Sequence, residues 1–143
     1  MAEEKKIKVL LAKAGLDGHD RGVNVLKLGL QDEGMDVIYT GIRQTPERIA
    51  QEAVDEHVDV VGLSSLAGAH KYLFPEIVQL LRQKGARDVL VIAGGIIPEE
   101  DIAFLSEVGI KAVFGPGSSI KQIADYIRQN ARPKRTPKTS KPK

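Results

Sequence analysis

A chain of 143 residues, 42% of them hydrophobic, has room for one domain and enough apolar material for a single sizeable core. Cysteine is absent, which excludes a disulfide framework, a thiolate zinc site and a cysteine nucleophile, and fits a reducing compartment. The net charge of +2 conceals an asymmetry: residues 131–143 carry Arg132, Lys134, Arg135, Lys138, Lys141 and Lys143 and no acid, so setting those six cations aside takes the balance to −4.

An acidic body with an aromatic-free basic tail does not match a nucleic-acid-binding face. Pro133, Pro137 and Pro142 interleave the charges, so the tail reads as a solvated, disordered extension, dividing the chain into a folded unit at 1–130 and a tail at 131–143. The stretch from Met1 to Lys6 is charged and leads straight into a short apolar run, without a secretory h-region, and no apolar stretch is long enough for a bilayer. A cytoplasmic protein with no membrane partner is the expectation.

The first predicted strand, at 7–12, is nearly all apolar, as expected of a strand buried on both faces. It runs into a polar loop, Lys13-Ala14-Gly15-Leu16-Asp17-Gly18-His19-Asp20-Arg21-Gly22, which is costly to keep for packing alone. Its glycines permit positive φ and close approach of backbone to a bulky ligand. A histidine here can ligate a metal through one ring nitrogen while Asp17 accepts a hydrogen bond from the other and fixes the tautomer; Lys13 can pair with Asp17 in turn. Taken singly, His19 fits an exposed loop histidine equally well. The glycine spacing does not reproduce G-x-G-x-x-G and no Walker lysine follows. A zinc site would need more ligands, and His57 and His70 lie on helices far along the chain.

A helix at 22–33 ends at Gly34, a strand at 35–40 follows, and Thr45-Pro46 opens a helix at 46–56 with proline in its first position. The third strand, 58–63, ends in the small residues Gly62-Leu63-Ser64-Ser65-Leu66-Ala67-Gly68-Ala69 before a helix at 70–84 closed by Gly85. A fourth strand at 89–93 ends in Gly94-Gly95, and Ile97-Pro98 opens a helix at 98–107, with proline again expected first, closed by Gly109. A short strand at 112–114 leads through Gly115-Pro116-Gly117-Ser118 to a helix at 119–129; backbone N–H groups there suit an anion, and serine there also suits a cap. Five strands alternating with five helices predict a doubly wound, five-stranded parallel α/β domain, Rossmann-like or flavodoxin-like, whose ligand lies outside the carboxyl ends of the strands. Small residues at the third and fourth strand ends would leave a slot there for an elongated, partly apolar group.

Together, Asp17-x-His19-x-x-Gly22, Ser64-x-Leu66 and Gly94-Gly95 resemble the three-part signature of the cobalamin-binding domain shared by carbon-skeleton mutases and methionine synthase. The resemblance runs from about residue 7 to residue 129. The stretches around these motifs, with Phe114-Gly115-Pro116-Gly117, look most like the C-terminal domain of methylmalonyl-CoA mutase. As a chain of this size the sequence is similar to the small subunits of methylmalonyl-, isobutyryl- and 2-hydroxyisobutyryl-CoA mutases.

What the resemblance implies is adenosylcobalamin bound with His19 in place of its dimethylbenzimidazole as lower axial ligand to cobalt, and Asp17 and Lys13 behind it. Gly18, Asp20, Arg21 and Gly22 would complete the loop, and the freed nucleotide tail would enter the slot beside Ser64, Leu66, Gly94, Gly95 and Gly115. It further implies radical rearrangement of an acyl-CoA held by a separate TIM-barrel subunit, with a G-protein chaperone loading the cofactor and this chain inactive alone. Corrinoid shuttle proteins of methyl transfer use the same loop, usually behind a helical cap for which the segment ahead of residue 7 leaves no room; the small subunit of glutamate mutase is a closer alternative. A phosphoacceptor receiver domain shares the strand alternation but needs an aspartate where the third strand ends in Ser64.

Overall fold

The computed structural model describes residues 6–13, 21–40, 45–65, 70–86, 88–95, 97–115 and 118–131. Ten elements alternate along them: β1 (Lys8–Lys13), α1 (Arg21–Asp32), β2 (Asp36–Tyr39), α2 (Pro46–Asp55), β3 (Val60–Ser65), α3 (His70–Gln83), β4 (Leu90–Gly95), α4 (Glu99–Glu107), β5 (Ala112–Phe114) and α5 (Ile120–Asn130). The strands form one parallel sheet in the order β2-β1-β3-β4-β5, the expected doubly wound arrangement. Strand order reverses between β1 and β3, so the crevice of this topology opens at their carboxyl ends. The proposed tail lies, apart from Ala131, outside the described residues.

Local signals set most boundaries. Gly34, Gly85 and Gly109 sit just past α1, α3 and α4 with φ of 93°, 89° and 113°, a conformation that other residues adopt only with strain. Thr45 caps α2 by accepting from the Arg48 N–H at 3.2 Å, and Pro46 takes the first helical position. Pro98 departs from expectation: it is the N-cap of α4 rather than its first residue, because its ψ of 142° is extended. Strands β3 and β4 run two residues further than their apolar character indicates, to Ser65 and Gly95. The pairs Ser64↔Gly94 and Ser65↔Gly95 continue the ladder there, and satisfying those backbone groups outweighs the poor strand propensity of glycine.

Side chains alternate across the sheet and so build two cores. Leu10, Ala12, Val61, Leu63, Val91 and Ala93 pack with α2, α3 and α4; Val9, Leu11, Val60, Leu90 and Ile92 pack with α1 and α5. Asp59, buried at the amino end of β3, accepts from the Lys8 N–H at 2.9 Å and satisfies the sheet at the end away from the crevice. No helix among the described residues is long and apolar enough to cross a membrane.

Candidate functional site

On the face covered by α1 and α5, the strands present their side chains in rows. The lowest row is Val9, Val60 and Leu90, the next Leu11, Gly62, Ile92 and Ala112, and the last, at the carboxyl ends, Lys13, Ser64, Gly94 and Phe114. Along β3 the valine of the first row gives way to the small residues glycine and serine, and along β4 leucine and isoleucine give way to glycine. The helices above do not close the gap, and a cleft of about 840 Å³ remains between the sheet and α1 and α5.

Val23 and Leu26 of α1 face Ile120 and Ile123 of α5 across this cleft, with Leu11 and Phe114 on the sheet side. Gly62 shapes the floor: a Cβ there would lie 2.9 Å from Leu11 Cδ2, so Leu11 occupies the space the missing side chain leaves. A Cβ on Gly94 would meet only the Phe114 carbonyl oxygen, at 3.4 Å, so the rest of its surroundings is cleft. The Phe114 ring is held edge-on against Tyr126 with centroids 5.7 Å apart, and the Tyr126 hydroxyl donates to the Lys111 carbonyl at 3.2 Å.

Lys13 is the polar anchor of the site. It is only 1% exposed, and its Nζ donates to Ser64 Oγ over 3.4 Å, across the β1–β3 switch point. Burying an ammonium is expensive without partners, so this lysine is placed for interaction rather than for packing. At the start of α5, Ser119 forms a capping box: its Oγ accepts from the Gln122 N–H at 3.1 Å and its N–H donates to Gln122 Oε1 at 2.7 Å. The cap is thus Ser119, one residue past the Ser118 of the expected loop, and part of the N-terminal donor set considered for an anion is already used. Further along α5, Arg128 joins Glu33 Oε1 at 2.7 Å, the Glu33 carbonyl at 2.9 Å and Asp125 at 2.9 Å, tying the far ends of the two cleft helices together. The hydrogen bond to Glu33 is the main cause that raises the Arg128 pKa.

Of the residues singled out in the sequence, Lys13, Ser64, Gly94, Gly95 and Gly115 line this one cleft. Arg21 and Gly22 are the first two residues of α1. Asp17, Gly18, His19, Asp20 and Leu66 lie outside the described residues. Gly62, Ile120 and Ile123 were not singled out for the site. Gly62 has a sequence signal, since Gly62-x-Ser64 puts two small residues on one face of a strand; the isoleucines have none, because only the fold sets α5 beside α1. Among the described residues no group of three or more His, Asp or Glu side chains could hold a metal ion. What the cleft offers is an apolar slot with a buried lysine and a hydroxyl at the carboxyl ends of the strands, chemistry that suits an elongated, partly apolar ligand group.

Comparison with known proteins points the same way. The family model described as the B12 binding domain matches residues 7–125. The chain is 48% identical over 126 residues to the 2-hydroxyisobutanoyl-CoA mutase small subunit of Aquincola tertiaricarbonis, covering 88% of this chain and 93% of that one. It is 47% identical over 131 residues to the methylmalonyl-CoA mutase of Cereibacter sphaeroides, but spans only 18% of that protein's length. Among solved structures, a cobalamin-binding protein from Desulfitobacterium hafniense superimposes with a TM-score of 0.75 at 25% identity, over 87% of this chain and 59% of that one.

Proposed function

The chain belongs to the B12-binding domain family, and from that premise we propose that it is the cobalamin-binding small subunit of an adenosylcobalamin-dependent acyl-CoA mutase. One observation carries the proposal: the 48% identity to a mutase small subunit extends over 93% of that subunit, so the likeness covers a whole protein of that kind. A larger TIM-barrel subunit would hold the thioester, with 2-hydroxyisobutanoyl-CoA and methylmalonyl-CoA as the leading substrates. The cleft supports the cofactor reading through its shape and its one buried cation.

In this reading His19 would be the protein ligand to cobalt, Asp17 would accept a hydrogen bond from its other ring nitrogen, and Lys13 would support Asp17. The burial of Lys13 beside Ser64, where β1 meets β3, supports that order, because a lysine fixed there can hold a carboxylate of the following loop in place. The nucleotide tail would lie in the cleft, where Gly94 and Gly95 would leave it room and the aliphatic walls would pack against it. The cofactor, when bound, supplies homolysis of its cobalt–carbon bond, a step no side chain provides. The residues of this chain bind and orient.

Electron paramagnetic resonance of the cob(II)alamin complex, prepared with nitrogen-15 histidine, tests the assignment. Coupling from a protein imidazole is expected, and His19→Ala should abolish it. Coupling from dimethylbenzimidazole in the unsubstituted chain would refute the ligand assignment. Reconstitution with the large subunit then tests the reaction: rearrangement of an acyl-CoA is expected, whereas turnover of methylcobalamin with no thioester converted would replace the mutase reading by methyl transfer.

A further inference from the structure

Helices α1 and α5 come close where Gly29 meets Ile120. Gly29 sits inside α1, where glycine is a poor choice on helix propensity, so something other than local preference accounts for it. A Cβ at that position would lie 2.5 Å from Ile120 Cδ1 and 2.8 Å from Ile120 Cγ2. Ile120, the first residue of α5, therefore seats in a notch that only glycine leaves open. Cleft-lining residues lie on both sides of this contact, Val23 and Leu26 before it and Leu30, Ile123 and Ile127 beyond it along the two helices. Ile120 itself lines the cleft, together with Leu11, Ile92 and Phe114 of the sheet.

We propose that Gly29 and Ile120 form a waist in the cleft that positions the nucleotide tail of the cofactor, and that the missing side chain at Gly29 is what leaves the tail its passage. This rests on the cobalamin reading above and extends it to residues outside the signature motifs. A methyl group at position 29 must displace Ile120. Arg128 ties the far end of α5 to Glu33 just past α1, which opposes parting of the two helices. Isoleucine is β-branched and has few rotamers to escape into. The displaced side chain is therefore driven toward the sheet, into the space the tail needs. The corrin ring, held at the mouth, would be untouched, so these two residues act on the tail alone.

Binding of two corrinoids to the full chain, followed by visible absorbance, separates the effects: adenosylcobalamin carries the tail and cobinamide lacks it. Gly29→Ala should weaken adenosylcobalamin binding by roughly tenfold or more, in line with one overpacked methyl, and leave cobinamide affinity unchanged. Adding Ile120→Ala to Gly29→Ala should restore most of the loss, and the unchanged cobinamide affinity separates the effect from a general defect in folding. If Gly29→Ala fails to fold, Ile120→Phe brings the bulk from the other wall and should give the same selective loss. Wild-type affinity for adenosylcobalamin in folded Gly29→Ala, equal weakening of both corrinoids, or no rescue by the double substitution would each overturn the proposal. Failure of the unsubstituted chain to bind either corrinoid is a different result, and it would remove the cobalamin reading itself.

Discussion

Gly94→Val should separate cofactor binding from stability. Gly94 lies in β4 between Ser64 and Phe114, and its φ is not in the left-handed region, so the backbone accepts a side chain. Glycine within a strand costs about 0.5–1 kcal/mol relative to alanine, and β-branched residues suit the pleated surface, so the substituted protein should melt no lower than the original. The new Cβ would find an ordinary contact with the Phe114 carbonyl at 3.4 Å, and the two methyls beyond it can point only into the cleft. There they occupy space assigned to the tail. Overpacking of this kind costs about 1–3 kcal/mol, which corresponds to roughly 5–150-fold in affinity. Isothermal titration with adenosylcobalamin, beside a thermal melt, measures both quantities on one sample. Unchanged affinity in a protein that melts as the original does would refute the placement of the tail along β4. Gly95, one residue on, offers the contrast: its φ of 115° makes any side chain strained, so substitution there should show first in the melt.

Two further outcomes follow from the packing. Lys13→Met keeps most of the length of the buried side chain but removes its charge and its donor to Ser64; cobalamin affinity should fall by about 10–100-fold, measured by equilibrium titration, the range for a group with the supporting role proposed above. Leu81→Ala empties a site that is 1% exposed among α2, α3 and α4. Denaturant unfolding should show a loss of about 2–5 kcal/mol, while affinity per folded molecule stays unchanged because the cleft is on the other face of the sheet.

The amino-acid sequence by itself determined which segments are strands and helices, and in what alternation. Apolar runs buried on both faces, Thr45-Pro46 at a helix start and glycines just past helix ends are local physics, legible without neighbours. It also carried the cofactor class, through three short motifs that resemble the signature of the cobalamin-binding domain. Tertiary structure alone decided how far the strands run and where the cleft lies. Ser64 and Gly94 have weak strand preference and are strand residues only because each pairs with the other's backbone. The cleft exists because small residues of β3 and β4 at the carboxyl ends lie side by side under two helices distant in sequence. Gly29 and Ile120 belong to different ends of the chain and carry no shared periodicity. Their contact follows from the crossovers that bring α1 and α5 to the same face of the sheet, which is a property of the assembled fold and of no local segment.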